Sequence, residues 1–127
     1  MGKPISTMVQ RQAMAVDMDA TIADVEEVFR RNAISALLVS ERNGDVLGII
    51  SVRDLAQFRH DKRDPATVRA WEICTYKPLQ VAPDTPVSEV AKMMVASGIH
   101  HVIVRDQQGT SGIVSALDFV RQFIEDT

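Results

Sequence analysis

Cysteine is nearly absent: Cys74 stands alone in 127 residues, so no internal disulfide can form. No apolar run approaches the roughly 18 residues that span a bilayer, and no apolar stretch of signal-peptide type follows Met1-Gly2-Lys3-Pro4. These absences predict a reducing, cytoplasmic setting and no membrane partner. Aromatic residues are only 5% of the chain, so its core must be mostly aliphatic. A cationic excess is missing too. The formal net charge is −3 and neither half is basic, which argues against a broad nucleic-acid surface. Small anions are not excluded, because they need only a local cluster of donors. The chain has no glycine-rich phosphate loop and no paired carboxylates beside a base, the usual equipment of hydrolysis. What remains, 46% hydrophobic and 24% charged, is the composition of one ordinary globular domain.

The chain repeats itself. Asp19-Ala20-Thr21-Ile22-Ala23-Asp24-Val25 matches Asp84-Thr85-Pro86-Val87-Ser88-Glu89-Val90 at an offset of 65 residues. At that offset Val16 meets Val81, Ile34 meets Ile99, Val39 meets Val104 and Gly44 meets Gly109. One residue is then lost, and at an offset of 64 Gly48-Ile49-Ile50-Ser51 meets Gly112-Ile113-Val114-Ser115 and Asp54 meets Asp118. A unit of about 60 residues is marginal alone, so two should share a core.

Each repeat has the same grammar. Thr21 is placed as a helix cap before Ile22, Val25, Val28 and Phe29, which fall on one helical face. In the second repeat Thr85 is the expected cap, Pro86 takes the first helical position, and Val87, Val90, Ala91 and Met94 form the stripe, with Gly98 as the stop. Strands are predicted at 36–39 and 101–104, turns at Asn43-Gly44 and Gln108-Gly109, and return strands at 46–50 and 112–114. A last helix starts at Ser51 and at Ser115. The fold class is therefore α/β, two pseudo-symmetric β-α-β-β-α repeats forming one compact module. Residues 1–64 hold the first repeat with a polar connector, 59–65, and residues 65–127 hold the second.

The most informative segment is Gly-apolar-apolar-Ser-x-x-Asp, which occurs as Gly48 to Asp54 and as Gly112 to Asp118. Ser at the cap with Asp at the third helical position is a capping-box arrangement, and that alone explains both residues. The same geometry also suits binding. A strand delivers the chain to a helix start, where amide groups and the dipole favour anions, and an ionised Asp can accept from a ribose diol.

Both copies of the segment resemble the signature of the cystathionine-β-synthase (CBS) repeat family, Gly-apolar-apolar-(Thr/Ser)-x-x-(Asp/Asn), and the repeat grammar resembles that family over residues 5–124. The resemblance implies a paired module that binds an adenosine-containing ligand: AMP, ADP, ATP, NAD or S-adenosylmethionine. It implies that the Asp binds the ribose, that the Ser lies near phosphate, and that apolar and backbone groups of the partner repeat hold the adenine in clefts between repeats. Carried over, site one combines Ser51, Arg53 and Asp54 with Thr75, Leu79, Ile99, His100 and His101. Site two combines Ser115 and Asp118 with Gln10, Met14, Ile34, Ser35 and Ala36. Site one is richer in cations and donors and is expected to take a phosphorylated ligand. Site two has Leu117 where site one has Arg53, and is expected to hold a less charged adenosyl group or none. The resemblance also implies a homodimer assembled through helices, a regulated partner protein, no required cofactor and no catalysis.

Adjacent residues on a strand point to opposite faces, so His100-His101 are poor joint ligands for one metal. Cys74 reads as a buried structural thiol, and Met93 and Met94 as core or dimer-face residues. Helices 22–33 and 87–96 carry apolar residues beyond one stripe, Ala23, Met93 and Val95 among them, and that surface needs cover. The competing functions are an interaction module with vestigial nucleotide sites and, less supported, a weak hydrolase using His100 or His101.

Overall fold

The computed structural model describes residues 2–109 and 111–127. The chain divides into two compact units. One is contiguous, Met14–Lys77, and the other is built from two pieces, Met1–Ala13 and Pro78–Thr127.

In the contiguous unit, strand β1 (Ala15–Asp17) leads to helix α1 (Ile22–Arg31). Thr21 starts that helix as expected. Its Oγ1 accepts from the Asp24 N–H at 3.1 Å, and Asp24 Oδ2 accepts from the Thr21 N–H at 3.2 Å. The reciprocal pair satisfies two of the amides that a helix start leaves without partners. The helix ends at Arg31, two residues short of the predicted end, where the Asn32 side chain donates back to the Val28 carbonyl. Strands β2 (Ala36–Ser40) and β3 (Val46–Ser51) pair antiparallel, and β1 lies parallel to β2. Helix α2 (Val52–His60) absorbs Arg59 and His60 from the predicted connector. A one-turn helix α3 (Ala70–Ile73) and strand β4 (Thr75–Tyr76) follow, and the sheet order is β1-β2-β3-β4. Leu37, Val39 and Ile50 are fully buried with Ile22, Val25 and Phe58 in one core. Each such side chain contributes about 1.5–3 kcal/mol by leaving water.

The second unit repeats the order with strand β5 (Gln80–Val81), helix α4 (Val87–Ser97), strands β6 (His101–Arg105) and β7 (Ser111–Ser115), and helix α5 (Ala116–Asp126). Its sheet order is β5-β6-β7, with β5 parallel to β6 and β6 antiparallel to β7. Val87, Val90, Met94, Val102 and Val114 form the core with Ile5 and Met8, from a 3-10 turn at Ile5–Met8. Each repeat is a small mixed sheet with helices, as the pattern predicts.

One cap expectation fails here. Helix α4 begins at Val87, not Pro86; Pro86 takes the cap position with extended φ −61 and ψ 140, and Thr85 caps nothing. The N-terminal arm does that work instead. Val87 N–H donates to the Lys3 carbonyl at 2.8 Å, and Ile5 N–H donates to the Thr85 carbonyl at 2.7 Å. With Thr85 held in that pairing, the helix start moves one residue on. Gly98 ends α4 in the left-handed region, φ 64, as predicted.

The glycine that opens each signature segment is required by close approach. A Cβ on Gly48 would lie 2.5 Å from the Thr75 carbonyl oxygen and 2.8 Å from Cys74 Sγ. A Cβ on Gly112 would run into Val9 Cγ1. Val9 and Cys74 are themselves related by the 65-residue offset. Each unit thus seats, on its bare strand position, the segment that precedes the other repeat in sequence.

Candidate functional site

The two Ser-x-x-Asp segments occupy equivalent strand-to-helix junctions. Ser51 caps α2: its N–H donates to Asp54 Oδ2 at 2.7 Å, its Oγ–H donates to the same oxygen at 3.0 Å, and Asp54 N–H donates to Ser51 Oγ at 3.3 Å. Ser115 and Asp118 repeat the set at 2.7, 3.0 and 3.3 Å at the start of α5. Both serines are buried and both aspartates half-buried. The capping role is therefore real at both positions. It also narrows the anion cradle expected there. The amides of Ser51, Val52 and Asp54 all have partners, Val52 N–H donating to the Ser35 carbonyl at 3.0 Å. Ala116 N–H likewise donates to the His100 carbonyl at 2.8 Å.

Capping uses only one oxygen of each carboxylate. No described group donates to Asp54 Oδ1. At Asp118, Arg121 Nη1 donates to Oδ1 at 3.2 Å. An ionised carboxylate oxygen with open lone pairs, fixed on a rigid junction, can accept hydroxyl groups of a polyol.

The residues of each predicted site are divided between the two units, and within a unit the other candidate residues lie as follows. In Met14–Lys77, Ala36 pairs directly with Ser51, and Ser35 meets Val52 through its carbonyl. Thr75 pairs with Ile49 on the far side of β3, and Arg53 is exposed on the first turn of α2. Met14 accepts from Leu38 N–H at 2.9 Å, and Ile34 packs on the core. In the other unit, His101 pairs with Ser115, while His100 precedes β6 and is exposed. Leu79 accepts from Ile103 N–H at 2.9 Å, Ile99 packs on the core, and Gln10 is exposed.

Among the described residues no three His, Cys, Asp or Glu side chains gather to hold a metal ion. Cys74 is buried against Gly48, and burial pushes its thiol pKa up. That disfavours the reactive thiolate. No described helix is long and apolar enough to cross a membrane.

Two features escaped the sequence reading. One is Arg121, for which the available signal is an Arg three residues past an Asp on a helix. The second is an apolar cavity of about 360 Å³ between α4 and the first turn of α5, lined by Met94, Val95, Gly98, Ile99, Phe119 and His100 among others. At the matching place the first repeat carries Phe29 for Met94 and Arg30 for Val95, so the sequence signal was this difference between repeats.

The CBS domain family matches residues 5–61 and 70–125. An uncharacterised protein of Methanocaldococcus jannaschii is 24% identical over 149 aligned positions, covering 91% of this chain and 89% of that protein. A CBS domain protein from Pyrobaculum aerophilum, solved in complex with AMP, superposes with a TM-score of 0.81 at 24% identity, over 91% of this chain and 88% of its own. A CBS domain pair solved with 5′-methylthioadenosine and S-adenosyl-L-methionine superposes with a TM-score of 0.83 at 23% identity, over 95% of this chain and 99% of its own.

Proposed function

This chain belongs to the CBS domain family, and from that premise we propose that it is a regulatory module binding adenosine-containing ligands and signalling to a partner protein. The observation that carries the reading is the carboxylate oxygen that capping leaves over, Oδ1 of Asp54, beside Ser51 at a fixed strand–helix junction. Similar folds that hold AMP, or 5′-methylthioadenosine and S-adenosylmethionine, support the ligand class. In this reading Asp54 and Asp118 accept from ribose hydroxyls, and binding shifts a conformational or assembly equilibrium. The role is non-catalytic. One observation favours a second reading, a protein-interaction module with vestigial sites: the capping boxes account for both Ser-Asp pairs without any ligand.

A thermal-shift panel of AMP, ADP, ATP, NAD and S-adenosylmethionine separates the two. A ligand at 100 times its Kd adds about 2.7 kcal/mol to stability, a rise in Tm of several degrees. A flat response to the whole panel at millimolar concentration favours the interaction module.

We also propose a homodimer. The outer face of α1 proves charged, with Glu27 paired to Arg30 and Arg31, although Ala23 is exposed as expected. On α5, Leu117, Val120, Phe123 and Ile124 are all more than half exposed, and on α4 Met93 and Val95 are exposed as well. Exposed apolar side chains gathered on one helix call for cover, and a second copy supplies it in this reading. Light scattering at tens of micromolar is expected to give twice the 14.1 kDa chain mass. Phe123→Glu with Ile124→Glu is expected to return the monomer mass, and a parent protein that is already monomeric sinks the proposal.

A further inference from the structure

We infer that Arg121 makes the two carboxylates unequal, holding Asp118 back from a ribose diol while Asp54 stays open; this rests on the ribose reading proposed above. A carboxylate offers about four acceptor positions, two on each oxygen. At both junctions Oδ2 takes two donors, the backbone N–H and the hydroxyl of the capping serine. Among the described residues none donates to Asp54 Oδ1, which keeps both of its positions, one for each hydroxyl of a vicinal diol. Asp118 Oδ1 has already given one to Arg121, at 3.2 Å. A diol arriving at Asp118 must lose one hydrogen bond or displace the guanidinium.

The inequality is written in the chain. At the 64-residue offset Arg121 corresponds to Gln57, which turns away from its aspartate and donates to Asp61 Oδ1 at 2.9 Å. Among the described residues the first repeat therefore shows no counterpart of the Arg121–Asp118 pair. Arg121 is 61% exposed and the Asp118 side chain 24%. Opening so exposed an ion pair is easy compared with forgoing a charge-assisted hydrogen bond. The guanidinium yields, so Arg121 sets an affinity difference of about two- to fivefold instead of closing the site.

Adenosine is the probe, because it carries the diol and no phosphate, so the Arg121 charge cannot assist by attracting an anion. In an Asp54→Ala background a calorimetric titration reads Asp118 alone. Adding Arg121→Gln, which installs the residue of the first repeat at an exposed helical position, is expected to tighten adenosine about two- to fivefold. The reciprocal Gln57→Arg, in an Asp118→Ala background, is expected to weaken it by a similar factor. If adenosine binding in the Asp54→Ala background depends on Asp118 but Arg121→Gln leaves it unchanged or weaker, the inference is overturned while the ribose reading stands. If the parent protein binds no adenosine, or binds it equally well when both aspartates are replaced, the ribose reading falls and this inference with it.

Discussion

Asp54→Ala is expected to weaken binding of an adenosyl ligand about 10- to 100-fold, the loss of charge-assisted hydrogen bonds worth roughly 1.5–3 kcal/mol. The same change removes the acceptor of the Ser51 N–H and hydroxyl, so the unliganded protein should also lose about 0.5–2 kcal/mol of stability. The two effects come from different oxygens and can be separated. Asp54→Asn can keep a side-chain oxygen for the cap and still bond a hydroxyl, but it lacks the charge. It should recover most of the stability and only part of the affinity. Calorimetric titration gives the affinity, and melting of the ligand-free protein gives the stability. A protein that melts lower but binds as before identifies Asp54 as a cap alone. Unchanged nucleotide binding by a folded Asp54→Ala, Asp118→Ala protein would falsify the ribose assignment at both positions.

Gly48→Ala is expected to be the most damaging single methyl group added to this chain. Its Cβ would meet a main-chain oxygen, that of Thr75, at 2.5 Å, on a strand held in register by the pairing of Gly48 with Tyr76. Backbone cannot rotate aside as a side chain can, so β4 must shift or unpair. Overpacking of this kind costs about 1–3 kcal/mol, a fall in Tm of several degrees. Gly112→Ala makes the instructive contrast, because its obstacle is the side chain of Val9. Val9→Ala should restore much of the stability of Gly112→Ala, whereas Cys74→Ala should restore little in Gly48→Ala, since the carbonyl remains. Chemical denaturation of the four variants checks this, and full rescue in both pairs would show that the carbonyl contact is not decisive.

Most of the architecture was legible because it was written twice. The 65-then-64 offset places both hairpins and all four longer helices, and the Thr21, Ser51 and Ser115 caps form as their chemistry predicts. The failures have local physical causes. Thr85 and Pro86 read as an ordinary helix start, but a distant arm at Lys3–Ile5 supplies the partners a cap would have supplied. The segments α3 and β4 are too short to show a period. At the junctions, residue types announced both a cap and a binding group. Which carboxylate oxygen each role uses depends on side-chain conformation, and no residue pattern encodes that. The apolar face of α5 was invisible for a related reason: Leu117, Val120 and Ile124 form as good a core stripe as any, and only tertiary structure leaves them outside.

The way the units share the chain gives them different folding histories. Met14–Lys77 is one uninterrupted segment, so all of its partners are present before Pro78–Thr127 has been synthesised. The other unit needs both ends of the chain. Its Ile5-to-Thr85 and Val87-to-Lys3 hydrogen bonds must close across everything between them, and closure entropy grows with that span. If the inserted segment folds first, it replaces a long flexible loop with a tether of fixed length, and the ends then search a smaller volume. The insertion is therefore expected to order assembly, with the unit carrying Asp54 forming first from sequence-local contacts and the unit carrying Asp118 completing last, an order that pulsed hydrogen exchange during refolding checks.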